Sequence, residues 1–358
     1  MLDTGNTGPA PRQRVTIAMI AEAAGTSRAT VSKALNGRTD VSAATRDSIA
    51  AIATELGYRP TGAAQAVQSI AFVTNEFDSI YTAHVLSGAI SECAGQGYLL
   101  TSGHLGIGGA PDATRPLSDA WLSAVSRTHI GVIVATTHVD PSLVRGCGRL
   151  GLHLVAVDPK GPVEEEVTTI GATNWNGALT ATQHLIGLGH RRIAFSRGAT
   201  DSVPAGEREQ GYRSAMRMAG LDVPPALVAG DDYSFASGHS SALSFLRLPE
   251  SERPTAIMCA SDLVALGAIE ACRSLGVAVP RDCSVIGFDD SELAALSSPP
   301  LTSVRQPMRH MGEAAARAVI DQHEGRTSAS HPMRLETRLV IRDSTCPAPG
   351  APLPSHLQ

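Results

Sequence analysis

Apolar residues recur at helical spacing in three short runs near the N-terminus, and a residue suited to cap a helix precedes each run. Thr16 precedes the first run, Ser27 the second and Ser42 the third, which is predicted to reach Leu56. Gly25 separates the first two runs, where a tight turn uses a positive φ angle. The pattern predicts three short helices around a small core. The positions expected to face this core are Ile17, Ile20, Ala21, Ala24, Val31, Ala34, Leu35, Ile49, Ile52, Ala53 and Leu56.

A different pattern begins at Ile70, where short apolar runs of strand length alternate with amphipathic stretches of helical period. The later apolar runs are Gly131 to Ala135, Leu152 to Val157, Ile193 to Ser196, Ala256 to Cys259 and Ser284 to Phe288. Such alternation predicts parallel sheets with helices on both faces. About 275 residues are more than one sheet of this kind holds comfortably, so two subdomains are expected.

These patterns divide the chain into parts of different character. The predicted parts are a flexible arm over residues 1–14, a helix-turn-helix domain over 15–60, a short hinge over 61–69, a large body over 70–345 and a disordered tail, rich in proline, over 346–358.

Charge is distributed unevenly between these parts. The whole chain has a net charge of −5, whereas Arg12 to Gly62 holds seven basic and four acidic residues and is therefore net positive. A basic head favours DNA as its partner, although a small three-helix domain can also bind protein. In a helix-turn-helix the start of the second helix enters the major groove, so Arg28, Ala29 and Lys33 are predicted to contact base edges. Thr16 belongs to the same interface, and the predicted phosphate contacts are Ser27, Asn36, Ser42 and Thr45.

Five further sequence blocks follow the head in a fixed order. They are Gly189–Ile193, Arg208–Tyr212, Ser261–Gly267, Val279–Asp290 and Pro299–Pro307. With the head, they resemble the lac repressor/gal repressor family of bacterial transcription regulators over about Val15 to Thr345. The resemblance implies a body like that of periplasmic binding proteins, with two doubly wound parallel-sheet subdomains. We expect crossings near Ala172, Ser303 and Met333, which assign about 70–172 and 304–332 to one subdomain and about 173–303 and 333–345 to the other.

In such a body a ligand binds in the crevice at the carboxyl ends of the strands. The resemblance implies effector contacts from Arg208, Ser261, Asp289 and Gln306, and Asp158 is a further candidate because it follows a strand. Asp289 has an alternative role as the cap of the next helix, and Arg208 as part of a subdomain ion pair. The aromatic candidates for stacking on a sugar ring are Tyr81 and Tyr233, with Trp175 behind them or in the core.

Three sequence features refine what the resemblance implies for this chain. Ser261 stands where family members most often have asparagine. The block Thr173–Gly177 resembles one found in some family members, and this resemblance implies plant-cell-wall sugars such as xylosides or β-glucosides. In the hinge, Val67 stands where relatives insert a leucine into the minor groove. Because a β-branched residue is a poorer wedge and Gly62 weakens a helix, we expect a marginal hinge helix that still contacts DNA.

The sequence contains none of the patterns that would indicate other protein classes. No apolar run reaches the ~18 residues of a membrane span, and the N-terminus has no apolar stretch of a signal peptide, which predicts a cytoplasmic protein. The six cysteines show no metal-ligand spacing and are expected to be reduced core residues, so we predict neither metal nor cofactor. The absence of nucleophile and phosphate-loop motifs argues against an enzyme.

The predicted function is a ligand-controlled DNA switch. We expect a repressor that binds a palindromic operator as a homodimer and responds to a small sugar or glycoside in the cleft of its body. Two alternatives remain: the same regulator with a non-sugar effector, and a sugar-binding component of a transport system.

Overall fold

The computed structural model describes residues 15–35, 41–56, 68–104, 118–326 and 332–350. The chain separates into two compact units, Met1–Ala66, termed the head, and Val67–Gln358, termed the body. No helix in the described ranges is long and apolar enough to cross a membrane.

The head contains three helices, α1 (Ile17–Ala23), α2 (Arg28–Leu35) and α3 (Ala43–Glu55). Thr16 caps α1, and the hydroxyls of Ser27 and Ser42 accept backbone N–H bonds at the starts of α2 and α3, at 3.1 and 3.2 Å. These caps satisfy amide groups that have no partner within the helix, which explains where each helix begins.

The head core also follows the predicted pattern, with one exception. Ile20, Val31 and Ile49 are fully buried at its centre, and Gly25 has a φ of +59° in the turn between α1 and α2. The prediction for Leu56 is wrong. Its side chain is 37% exposed because α3 ends at Glu55, so Leu56 lies beyond the last turn that packs.

The body contains two six-stranded sheets. The strands of the first are β1 (Ser69–Thr74), β2 (Leu99–His104), β3 (His129–Ala135), β4 (His153–Val157), β5 (Thr168–Ala172) and β11 (Met333–Leu335). Those of the second are β6 (Ile193–Ser196), β7 (Val228–Ala229), β8 (Ala256–Cys259), β9 (Ser284–Asp289), β10 (Thr302–Arg305) and β12 (Arg338–Val340). Their orders are β11-β5-β4-β3-β1-β2 and β12-β10-β9-β8-β6-β7.

Every strand pair is parallel except β10 with β12, which is antiparallel at the edge of the second sheet. The helices between the strands are α4 (Ile80–Gly95), α5 (Asp119–Val125), α6 (Pro141–Leu150), α7 (Asn174–Gly187), α8 (Val203–Met218), α9 (Phe235–Leu246), α10 (Asp262–Ser274), α11 (Glu292–Leu296) and α12 (Met308–His323). Apolar clusters cover both faces of each sheet, and the strands β1, β3, β4, β6, β8 and β9 are largely apolar, as the doubly wound fold requires. The predicted fold class is confirmed.

The chain crosses between the two subdomains after β5, after β10 and between β11 and β12. The second and third crossings lie a few residues beyond the predicted Ser303 and Met333. β10 continues to Arg305 alongside β9, and Met333 pairs with Ile170 in the first sheet. Strands this short have too few apolar residues to mark their ends in the sequence.

The predicted disordered tail needs a partial correction. The Cys346 amide donates to Ser284 Oγ at 3.1 Å, and the Ala348 amide donates to the Leu188 carbonyl at 2.9 Å. Residues 346–350 therefore pack on the second subdomain through backbone bonds, which composition alone does not reveal. Residues 351–358 lie outside the described ranges. The other five cysteines are free and buried, as expected, whereas Cys346 is partly exposed.

Candidate ligand cleft and nucleic-acid interface

A cleft of about 580 Å³ lies between the two subdomains, at the carboxyl ends of their strands. One wall consists of Glu76, Asp78, Ser79, Ile80, Tyr81, Thr136, Asp158, Lys160 and Met308. The other consists of Ala199, Ser202, Pro204, Arg208, Asp232, Tyr233, Ser234, Ser261, Asp262, Leu263, Asp289, Ser291 and Leu293. Of the eight residues predicted to contact an effector, six line this cleft: Tyr81, Asp158, Arg208, Tyr233, Ser261 and Asp289.

Arg208 projects from the second turn of α8 and is only 3% exposed. Its Nε donates to Asn174 Oδ1 at 2.9 Å and its Nη1 to the Ala260 carbonyl at 2.6 Å. The guanidinium carbon lies 4.0 Å from the centre of the Phe288 ring. These contacts fix the guanidinium plane, so its remaining N–H groups are oriented before any ligand arrives.

Asp289 is the last residue of β9, and its Oδ1 lies 3.8 Å from Arg208 Nη1. Gln306 Nε2 donates to the same oxygen at 2.6 Å. Burial raises the pKa of the Asp289 carboxyl to about 6, although Arg208 and Gln306 act to lower it. The capping alternative for Asp289 does not fit this geometry, because Ser291 occupies the N-cap of α11. The ion-pair alternative for Arg208 does fit, since the guanidinium pairs with Asp289 within the second subdomain while it also lines the cleft.

Asp158 occupies the equivalent strand end on the opposite wall, directly after β4. Its Oδ2 accepts a bond of 2.6 Å from the Tyr81 hydroxyl. Burial raises the pKa of Asp158 to about 6, while burial and the adjacent carboxylate raise that of Tyr81. The cleft lining therefore includes one fixed guanidinium beside Asp289 on its own wall, with the buried carboxyl of Asp158 on the opposite wall.

Tyr233 lines the second wall, where its hydroxyl lies 3.0 Å from Ser202 Oγ. Its ring lies against Gly198, where a Cβ atom would come within 2.3 Å of the ring. The absence of a side chain at Gly198 therefore makes room for the ring beside the cleft.

Ser261 lines the cleft, but its oxygen also caps α10 by accepting the Val264 amide at 3.3 Å. The neighbouring Asp262 was not predicted as a site residue. Its carboxyl accepts bonds from Ser303 and Ser291, and burial with the charge of Asp289 raises its pKa to about 7. The sequence signal for Asp262 was its position three residues after the end of β8, at the start of α10.

Two predicted effector residues lie elsewhere. Trp175 is in the first turn of α7 and 38% exposed, outside the cleft lining, because that turn packs through its backbone against Gly211 of α8. Gln306 is 3% exposed and sits behind Asp289, where its Oε1 has no hydrogen-bond partner among the described residues. Gln306 therefore holds the Asp289 carboxyl through a hydrogen bond and does not itself line the cleft.

Charged residues that the sequence reasoning missed complete the cleft. Lys160 and Glu76 form a pair of 3.0 Å, and Asp78 and Asp232 also line the walls. They follow strands in the sequence, which is the signal that identified Asp158. Around the mouth, two pairs join the subdomains: His138 with Asp201 at 3.5 Å, and His84 with Glu292 at 3.1 Å.

In the head, Arg28, Ala29 and Lys33 are exposed on α2. The exposed residues Thr16, Ser27, Ser42 and Thr45 lie at the starts of the three helices. This is the arrangement that a helix-turn-helix presents to a major groove and its flanking phosphates. The predicted contacts Asn36 and Val67 lie outside the described residues.

Both units match known protein families. Residues 16–61 match the model of bacterial regulatory proteins of the lacI family, and residues 182–345 match the periplasmic binding protein-like domain. The transcriptional regulator CelR of Thermobifida fusca is 35% identical over 349 residues, covering 93% of this chain and 99% of CelR. The chain belongs to the LacI family. MalR of Streptomyces coelicolor is 34% identical over 93% of this chain and 97% of its own length.

Solved structures agree with this assignment. A CelR–cellobiose complex has a TM-score of 0.67 at 33% identity and covers 92% of this chain and 100% of its own. A lac repressor dimer bound to operator and an anti-inducer has a TM-score of 0.68 at 26% identity, covering 93% and 100%. The protein is therefore a DNA-binding transcription regulator of the LacI family, and the prediction that it is not an enzyme is confirmed.

Proposed function

We propose that this LacI-family protein is a cytoplasmic repressor that binds a palindromic operator as a homodimer and changes its operator affinity when a small neutral sugar occupies the cleft. The observation that carries the proposal is the fixed Arg208 guanidinium beside Asp289, with Asp158 on the opposite wall of the cleft. The 35% identity to CelR, whose solved complex contains cellobiose, favours a β-linked glucoside.

The chemistry of the cleft suits a polyhydroxylated ligand. Asp158 and Asp289 offer carboxyl oxygens that accept bonds from neighbouring hydroxyls, and Arg208 offers N–H groups to hydroxyl oxygens. Tyr233 provides an apolar ring face beside them. A ligand without the hydroxyls would leave these buried groups unpaired, so the site would discriminate strongly against it.

A homodimer follows from the small size of the head. One helix-turn-helix makes too few base contacts to define a unique site, whereas two heads on a two-fold axis read a palindrome. The solved lac repressor dimer on its operator supports this arrangement.

The experiment that tests the proposal is a gel shift of the full chain on DNA from upstream of its own gene, titrated with cellobiose, xylobiose and maltose. We expect at least one sugar to change operator affinity, and Asp289→Ala and Arg208→Ala to retain operator binding but lose this response. Arg217→Ala, an exposed arginine on the same helix α8, serves as the control and should respond normally. Full sugar affinity of both cleft variants by calorimetry would refute the assignment.

A further inference from the structure

Two consecutive residues at the end of β9 adopt left-handed backbone conformations without being glycine. Asp289 has a φ of +110° and Asp290 a φ of +52°. Side chains disfavour this region, and such residues persist where the surrounding structure holds them in place. The turn matters because it determines where the Asp289 carboxyl enters the cleft.

The Asp290 side chain does not line the cleft. Its carboxyl is 1% exposed and lies between two arginines: Arg305 Nε donates to Oδ2 at 2.5 Å, and Arg342 Nη2 lies 2.6 Å from Oδ1. The Asp290 amide donates to Ser303 Oγ at 3.0 Å. The two arginines therefore hold the side chain of Asp290, and Ser303 holds its backbone.

Both arginines are themselves anchored at the edge of the second sheet. Arg305 is the last residue of β10, and Arg342 follows β12 and donates through Nη1 to the Leu301 carbonyl at 2.7 Å. β10 leads into the second crossing, and β12 follows the third. The turn that carries Asp289 is thus fixed to the strands where the chain passes between subdomains.

We propose that Asp290, held by Arg305 and Arg342, is a positioning residue that directs Asp289 toward Arg208 and the effector. This inference rests on the proposed function, in which Asp289 contacts the sugar. Removing the Asp290 charge releases the left-handed turn, and the Asp289 carboxyl then leaves Arg208 Nη1 and Gln306 Nε2. The effect on the sugar passes through Asp289, since Asp290 itself does not reach the cleft.

Backbone preference and charge can be separated by substitution at this position. Asparagine tolerates the left-handed region about as well as aspartate, so Asp290→Asn removes mainly the charge. Asp290→Ala removes the charge and also disfavours the backbone conformation, whereas Asp290→Gly frees the backbone. If backbone preference alone holds the turn, the asparagine variant will behave like the wild type.

The matched control is Glu209→Gln. Glu209 is also a carboxylate between two arginines, Arg197 and Arg213, at 2.9 and 2.8 Å, in the same subdomain and outside the cleft lining. Its loss imposes a similar cost of unpaired arginines without touching the turn.

The experiment has two arms on the full-length protein. In the first, calorimetry measures cellobiose affinity, alongside operator affinity and melting temperature. We expect Asp290→Asn and Asp290→Ala to weaken cellobiose binding about 10- to 100-fold, the range for losing a hydrogen bond to a charged group, with operator affinity retained. Glu209→Gln should bind cellobiose like the wild type.

The second arm needs no ligand: crystal structures of the unliganded wild type and Asp290→Ala show whether the Asp289 carboxyl remains beside Arg208 and Gln306. An Asp289 that keeps its conformation in the variant, or unchanged cellobiose affinity in Asp290→Asn, would overturn the proposal. A wild type that binds none of the sugars refutes the proposed effector class instead, and the structural arm still decides the role of Asp290.

Discussion

At the scale of single residues, the cleft concentrates groups that are costly to bury. Asp158 and Asp289 each have a pKa raised to about 6 by burial, against an ordinary value of 3.8. A carboxyl group buried in its charged form lowers the stability of the folded state unless a partner compensates for the lost solvation. Such a cost is typical of binding sites that trade stability for ligand recognition.

Asp158→Asn should therefore stabilise the protein while weakening sugar binding. The raised pKa means that the folded state holds this proton more tightly than the unfolded state, so the cost is present above pH 6 and disappears as the pH falls toward 4. The two-unit difference corresponds to about 3 kcal/mol in the free energy of unfolding. We expect the gain in urea denaturation to approach that size at pH 8 and to shrink strongly at pH 4.5.

Asp119→Asn is the control, because this side chain is 81% exposed in the same subdomain. Its effect on the free energy of unfolding should be small, because an exposed pair such as Asp119 with Arg149 contributes little. A loss of stability in Asp158→Asn at pH 8, or a gain that does not vary with pH, would contradict the assigned cost of burial.

Six of the eight residues predicted to contact an effector line the cleft, but the sequence did not predict their local roles. Asp158 and Asp289 were predictable because a polar residue directly after an apolar strand must lie at the strand's carboxyl end. The cap formed by Ser261 and the support that Gln306 gives Asp289 depend on hydrogen bonds between segments far apart in the chain. Trp175 was predicted near the cleft but lies outside its lining. The sequence places this residue in a helix, but it does not determine which side of the helix faces the cleft.

At the scale of elements, we propose that α2 is the part of the head that determines which DNA sequence is bound. Arg28, Ala29 and Lys33 share its exposed surface, while Ser27 and Thr45 lie at helix starts. A bidentate contact to a base edge adds about 1–3 kcal/mol of discrimination at one base pair, whereas a phosphate contact acts on every sequence equally.

Arg28→Ala and Lys33→Ala should therefore reduce operator affinity and relax the preference at single base pairs. The measurement is fluorescence anisotropy of each variant on a set of operators changed one base pair at a time. Thr45→Ala, at a predicted phosphate contact, is the comparison and should weaken binding on all operators alike. Uniform losses for both α2 variants would mean that α2 does not read the bases.

Elements with a strong local signal were predicted well. The three head helices follow from their caps and apolar spacing, and the long buried strands of the body follow from continuous apolar runs. β11 and β12 were not predicted, since each has three residues and lies at a sheet edge. Their partners in the two sheets are set by the third crossing, which is a property of the whole body rather than of either strand.

At the scale of the whole body, ligand control requires two arrangements of the subdomains whose balance a ligand can shift. Two pairs at the cleft mouth join the subdomains in this structure, His84 with Glu292 and His138 with Asp201. Neither pair lines the cleft. Both pairs are therefore able to affect sugar affinity only through the balance between a closed and an open cleft.

Removing both pairs with Glu292→Gln and Asp201→Asn should weaken sugar affinity without changing the cleft walls. Exposed pairs contribute about 0.2–1 kcal/mol each, so the double variant should bind sugar about 2- to 30-fold more weakly. Glu270→Gln, which breaks the exposed pair with Arg273 inside helix α10, is the control for the loss of a surface charge. Calorimetry with the sugar identified by gel shift measures both variants. If the double variant and the control bind that sugar equally well, these contacts do not hold the cleft closed, and the closing energy must come from the ligand and the cleft walls alone.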